Sequence, residues 1–136
     1  MAERIVLGYD GTDGAKAALA EAIRLCKDLS ADLTVVFGWT VTPEREMADL
    51  RQAIHEIGER ETAEAVAAAQ AEGVAAEARV ETERAAEAMV RIAAETGARM
   101  VVVGSHGERP IKGALLGSTP HRLVHLSDTP VLVVRG

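Results

Sequence analysis

Sixteen consecutive residues, GSHGERPIKGALLGST from Gly104 to Thr119, hold most of the groups in this 136-residue chain that could do chemistry. Gly104, Gly107, Gly113 and Gly117 carry no Cβ, so the backbone there can approach a ligand closely and present successive N–H groups. Ser118 and Thr119 stand just before a predicted helix, where their hydroxyls join the unpaired N–H groups of a first turn. Arg109 and Lys112 add positive charge. Backbone donors, hydroxyls and cations in one loop are what an anion requires, and phosphate fits them best. Turn-making glycines and a simple cap at Ser118 or Thr119 would leave much of the same pattern. A structureless loop of this length, however, is usually functional when it is ordered.

Other chemistries match less well. A P-loop needs Gly-Lys-Ser/Thr, and Lys112 is followed by Gly113. The dinucleotide fingerprint GxGxxG is missing after Tyr9, where the chain reads Asp10-Gly11-Thr12-Asp13-Gly14. Ser105 and His106 invite a hydrolase reading, but a nucleophile elbow wants glycine where Val103 stands. His121 and His125 have the four-residue spacing of a shared metal site. Arg122 replaces the Glu of HExxH, and no third ligand is evident, so solvent-facing histidines are expected. Cys26 reads as a core or boundary thiol beside Leu25. Trp39 either borders a ligand or packs at a strand end. Asp10 either caps the first helix or faces a ligand, and the two roles are compatible.

These residues depend on an alternating scaffold. The run Ile5–Tyr9 predicts a buried strand that stops at the turn residues Asp10–Gly14. Ala18, Ala22, Leu25 and Leu29 then recur at helical spacing, and Ser30 to Asp32 close that helix before a second strand, Leu33–Trp39. Pro43 suits a helix start, and Met47, Leu50, Ile54 and Ile57 begin the stripe of a long helix that Gly73 ends. Val74–Val80 alternates as a half-exposed strand. Thr82 is placed to cap a helix with Ala85, Met89 and Ile92 on its core face, ending at Gly97. Met100–Val103 is a fourth strand. Pro120 enters a last helix filled by Leu123, Val124 and Leu126, and Val131–Val134 is the final strand. The pattern β-α-β-α-β-α-β-α-β predicts a single α/β domain over residues 1–136: a doubly wound, Rossmann-like open sheet of five mostly parallel strands with four helices. Ligands of such sheets sit beyond the carboxyl ends of the strands, where the strand order reverses. That directs attention to the loops after the first, second and fourth strands.

Composition narrows the partners. Apolar residues make up 48% and charged residues 26%, so the chain is globular rather than disordered. The longest apolar runs, such as Val131–Val134, are far too short to span a membrane. Asp10, Asp13 and Lys16 interrupt any secretory leader, and a lone Cys26 forms no internal disulfide, which together predict a cytoplasmic protein. A formal charge of −6 argues against nucleic acid and anionic membranes as partners. With Tyr9, Phe37 and Trp39 as the only aromatic residues, a base-stacking platform for single strands is not expected.

At the glycine loop the sequence resembles the nucleotide-binding branch of the universal stress protein family. That branch carries Gly, two residues, Gly, nine residues, Gly, then Ser or Thr, matched here by Gly104, Gly107, Gly117 and Ser118. The opening IVLGYDGT and the ending TPVLVV look like the family's first and last strands, so the similarity runs through essentially the whole chain. It implies ATP, with Mg²⁺, as the ligand. The loop glycines and Gly117-Ser118 would hold triphosphate and ribose, Asp10 would help hold the nucleoside, and Gly38 would line the adenine pocket. The candidate binding residues are therefore Gly8, Asp10, Gly38, Val103, Gly104, His106, Gly107, Arg109, Gly117, Ser118 and Thr119, with no catalytic and no metal-ligating residue. Cyclic AMP shares the adenosine contacts and stays open. Two departures stand out: Ala98-Arg99-Met100 where the family often has an Asp, and Glu81-Thr82-Glu83 where it has Gly-x-Pro.

The last strand carries a further expectation. If Val131, Leu132, Val133 and Val134 form a sheet edge, their unpaired backbone groups need cover, and the resemblance implies a homodimer through this strand. The resulting reading is a cytoplasmic stress-response sensor or regulator that binds ATP and acts on a protein partner still to be named. The alternatives are a slow ATPase, for which no residue clearly positions a water, and a nucleotide-free, chaperone-like structural dimer.

Overall fold

The runs Ile5–Leu7, Leu33–Val36 and Val101–Val103 are buried along their whole length, as strands covered by helices on both faces must be. In this computed structural model, which describes residues 3–40, 48–105 and 119–135, they form the centre of a five-stranded sheet. The elements follow as β1 (Glu3–Gly8), α1 (Asp13–Leu29), β2 (Ala31–Gly38), α2 (Ala48–Ala71), β3 (Ala76–Glu81), α3 (Ala85–Thr96), β4 (Met100–Gly104), α4 (Thr119–Leu126) and β5 (Val131–Val134). The strand order is β3-β2-β1-β4-β5, with every pairing parallel.

Alternation along each strand divides the core in two. Ile5, Leu7, Tyr9, Leu33, Val35 and Val102 face α1 and α2, against Ala18, Ala22, Ile23, Ala65 and Ala69. Val6, Val36, Val101 and Val103 face α3 and α4, against Met89, Ile92, Ala93 and Leu123. The small residues of the Ala-rich helices let both layers lie close to the sheet.

Three local expectations need correction. Ser30 alone ends α1, in the left-handed conformation (φ 54°), and β2 begins at once at Ala31 because Glu3 and Ala31 are already paired. Val74 is not a strand residue: its N–H bonds the Ala69 carbonyl at 3.0 Å while the Gly73 N–H bonds that of Gln70, a Schellman closure of α2 around left-handed Gly73. Thr82 does not cap α3, which starts at Ala85 with Arg84 at the cap position and no side-chain capping bond. In α4, as expected, lie Leu123, Val124 and Leu126; Leu123 is buried and the other two are exposed. Pro43 and Met47 lie outside the described residues.

Candidate functional site

The chain steps from β1 to β2 and β3 on one side, then returns to place β4 and β5 on the other. The carboxyl ends of β1 and β4 therefore flank the point where strand order reverses, which is where a doubly wound sheet opens a crevice. The structure brings Gly8, Asp10, Val103 and Gly104 to this point and sets Gly38 at the end of β2, next to β1.

Thr12 caps α1: its hydroxyl oxygen accepts the Ala15 N–H at 3.3 Å. Asp10 is not itself the cap but braces it. One carboxylate oxygen of Asp10 accepts both the Thr12 N–H (3.1 Å) and the Thr12 hydroxyl (2.6 Å), a local turn that aspartate makes readily. Between them Gly11 adopts φ +79°, and the Glu61 carboxylate, arriving from α2, occupies the space that a Cβ would need. Burial, then Glu61, Glu64 and Asp10, raise the ionisation of the Tyr9 hydroxyl above its ordinary value. This wall of the crevice is therefore acidic. It suits hydroxyl donors, such as those of a ribose, or a cation, and it repels a bare phosphate.

On the β4 side, a Cβ at Gly104 would lie 2.6 Å from the carbonyl oxygen of Gly14. The absence of a side chain lets the end of β4 abut the first turn of α1, whose free N–H groups then stand beside the crevice. Val103 is buried with its side chain in the α3–α4 layer, so it can offer a ligand only its backbone. Gly8 lies under Met89, whose sulfur would be 2.6 Å from a Cβ there. Gly38 is packed in the same manner against the start of α3, 2.6 Å from both the Glu83 carbonyl oxygen and the Ala85 Cα as seen from its Cβ position.

Trp39 follows Gly38 and is 8% exposed. The Arg51 guanidinium lies 5.5 Å from the centre of its ring and the His55 ring 6.3 Å away, edge-on, so its packing at the strand end is clear. Its indole N–H is buried and makes no hydrogen bond among the described residues. Thr119 does not precede α4 but is its first residue, and it is buried. His106, Gly107, Arg109, Gly117 and Ser118 lie outside the described residues. His121 and His125 are exposed on α4 with ring centres 4.8 Å apart, and no group of three His, Cys, Asp or Glu among the described residues could hold a metal.

Sequence reasoning missed Glu61, which a long-range fold contact alone brings to the β1–α1 turn. It also missed a cluster around Arg91. That guanidinium donates to Glu83 (Nε, 2.8 Å), Glu95 (Nη1, 2.9 Å) and Glu81 (Nη2, 2.5 Å), and Arg79 bonds Glu81 at 3.4 Å. Only the Arg91–Glu95 pair, four apart on one helix, left a sequence signal.

All-parallel pairing in the order 3-2-1-4-5, with glycines and Asp10 at the strand ends beside the reversal point, defines a doubly wound α/β protein. The model of the universal stress protein family matches residues 1–135, and the chain belongs to that family. The universal stress protein YxiE of Bacillus subtilis is 29% identical over 148 residues, spanning 99% of this chain and 100% of the relative. The crystal structure of a universal stress family protein from Burkholderia pseudomallei is 32% identical with a TM-score of 0.79, over 97% of this chain and 95% of that one. A crystal structure of a universal stress protein in complex with cAMP is 27% identical with a TM-score of 0.71, over 97% and 96% of the two chains. No helix among the described residues is long and apolar enough to cross a membrane.

Proposed function

We propose that this chain binds an adenine nucleotide, ATP with Mg²⁺, in the crevice between the carboxyl ends of β1 and β4, and acts as a cytoplasmic stress-response sensor or regulator rather than as an enzyme. One observation carries the reading. Asp10, just past the end of β1, and Gly104, the last residue of β4, flank the reversal point, and the capped start of α1 is packed against Gly104 between them. A ribose would meet the acidic wall at Asp10, and phosphates would meet the N–H groups of α1 and the loop carrying Gly107, Arg109, Gly117 and Ser118. The base would lie toward the end of β2, where the Trp39 indole N–H is a buried donor without a partner among the described residues. The cAMP-bound relative supports adenine as the base. Mg²⁺ would be held by phosphate oxygens and at most one or two carboxylates, because no three-ligand cluster exists among the described residues. Bound at the phosphates, the ion would neutralise charge that the acidic wall repels.

Dimerisation belongs to the same reading. β5 is a sheet edge, and Val133, Val124 and Leu126 expose apolar surface on it and on α4, which packs beside it. A second copy pairing along β5 would cover them.

Calorimetric titration with Mg-ATP and with cyclic AMP tests the proposal, with Gly117→Val as the loop variant. Saturable binding that this variant loses is the expected result. No heat with either nucleotide, in protein shown by mass spectrometry to carry none, would overturn it.

A further inference from the structure

Segment 81–85 forms the outer wall of the crevice at the end of β2. The Trp39 backbone N–H bonds the Glu81 carbonyl at 3.1 Å, Gly38 pairs with Glu81 in register, and the Glu83 carbonyl with Ala85 presses on Gly38. Beyond Glu81, where the β2–β3 ladder ends, no side-chain cap fixes this segment. Thr82 caps nothing, and α3 begins without a side-chain capping bond. The segment's carboxylates are gathered from eight residues along the chain, at Arg91, which binds Glu81, Glu83 and Glu95 together while Arg79 bridges Glu81 and, at 4.0 Å, Glu95. Glu81 and Glu83 share the Nη2 of Arg91, so two carboxylates stand side by side with this guanidinium between them. The ring holds three negative and two positive charges. Removing one of the positive charges leaves three carboxylates facing Arg79 alone.

We propose that Arg91 is a positioning residue for the base end of the crevice: its ionic clamp on Glu81 and Glu83 holds segment 81–85 against Gly38 and Trp39, and thereby sets the affinity for an adenine nucleotide. The inference rests on the nucleotide reading for its affinity arm only. Its structural arm does not, because Trp39 is the one tryptophan in the chain and reports on the wall directly. Replacing Arg91 by neutral Gln lets Glu81 and Glu83 repel each other, so the wall moves away and Trp39, now 8% exposed, becomes more accessible. Lysine at 91 keeps the charge but cannot fork to three carboxylates, so its effect is intermediate.

The test compares wild type, Arg91→Gln, Arg91→Lys and the double variant Arg91→Gln/Glu83→Gln. In nucleotide-free protein, Arg91→Gln should shift Trp39 emission to longer wavelength and increase its quenching by acrylamide. Titrated with Mg-ATP and cyclic AMP, it should bind about five-fold more weakly, and the double variant should regain most of both signals because the repulsion has gone. Unchanged Trp39 emission in Arg91→Gln overturns the clamp. Changed emission with unchanged affinity overturns its role in binding. Loss of both signals without recovery in the double variant makes Arg91 a general packing residue and overturns the electrostatic account. Wild type that binds neither nucleotide overturns the function reading, and emission alone then decides the clamp. Should Arg91→Gln fail to fold, Glu83→Gln, which removes one partner of the ring, carries the emission comparison.

Discussion

Gly104 offers the sharpest test of the packing beneath the crevice. Its Cβ position lies 2.6 Å from the Gly14 carbonyl oxygen, 2.8 Å from the carbonyl carbon and 3.3 Å from the Ala15 nitrogen. An ordinary contact begins at 3.4 Å, so Gly104→Ala is short by about 0.8 Å, and every atom it meets is backbone. Neither side yields freely. β4 is held between β1 and β5, and the start of α1 is tied by the Asp10–Thr12–Ala15 bonds. Forced overpacking of this kind costs about 1–3 kcal/mol. For a chain of this length that is about 4 °C in Tm per kcal/mol, or roughly 4–12 °C in all.

Scanning calorimetry without nucleotide, at fixed protein concentration, measures it. Gly97→Ala is the control: its Cβ meets nothing within 4 Å, and its φ of +64° costs only the left-handed penalty of about 1 kcal/mol. The expected ranking is a larger loss at Gly104 than at Gly97. A Tm for Gly104→Ala equal to wild type would show that α1 moves off β4 without cost, and would remove the packing reason for this glycine.

Three further outcomes are expected. Burial, and secondarily Asp32, push the Cys26 thiol up to about 11, so at pH 8 roughly one molecule in a thousand carries thiolate, and a disulfide reagent should react only as fast as the protein opens. Rapid labelling under native conditions would contradict the burial. Arg122 hydrogen-bonds Glu87 and holds its carboxyl below the ordinary value. A depressed carboxyl adds stability above the unfolded value near pH 4.3, and that stability is lost as pH falls through the folded value. Glu87→Gln should therefore lower stability slightly at pH 7, by less than about 1 kcal/mol for a pair this exposed, with the difference closing toward pH 3; a gap that widens in acid refutes it. Val133→Lys should convert a dimer to a monomer by light scattering if β5 is the interface, and a wild type already monomeric sinks the dimer reading.

What the sequence made legible follows from the physics of each element. Strands buried on both faces must be written as apolar runs, and Ile5–Leu7, Val35–Val36 and Val101–Val103 were legible for that reason. Left-handed helix ends select glycine, so Gly73 and Gly97 marked α2 and α3. The misread positions are those where a distant group decides. Thr82 has the right type for a cap, yet α3 starts at Ala85, and the carboxylates on either side of Thr82, Glu81 and Glu83, bond Arg91 from farther along the chain. Val74 looks like a strand residue, yet the hydrogen bonds that close α2 claim its N–H first. Glu61 at Gly11 had no local signal at all, since α2 meets the β1–α1 turn only in the folded chain.

The glycines show why packing and binding were hard to separate in the sequence. A glycine at a strand end has the same letter whether it contacts a ligand or only makes room for packing. At Gly104 and Gly38 the missing Cβ admits the first turn of a helix, α1 in one case and α3 in the other. An advancing helix start carries unpaired N–H groups and the positive end of its dipole to the rim of the sheet. The close packing is thus what delivers the donors on which an anionic ligand depends. Stability and affinity should fall together in Gly104→Ala, whereas in Arg91→Gln affinity should fall with little change in Tm, because most of that ring is partly exposed. The two variants separate a wall that the fold cannot do without from one that the fold merely holds in place.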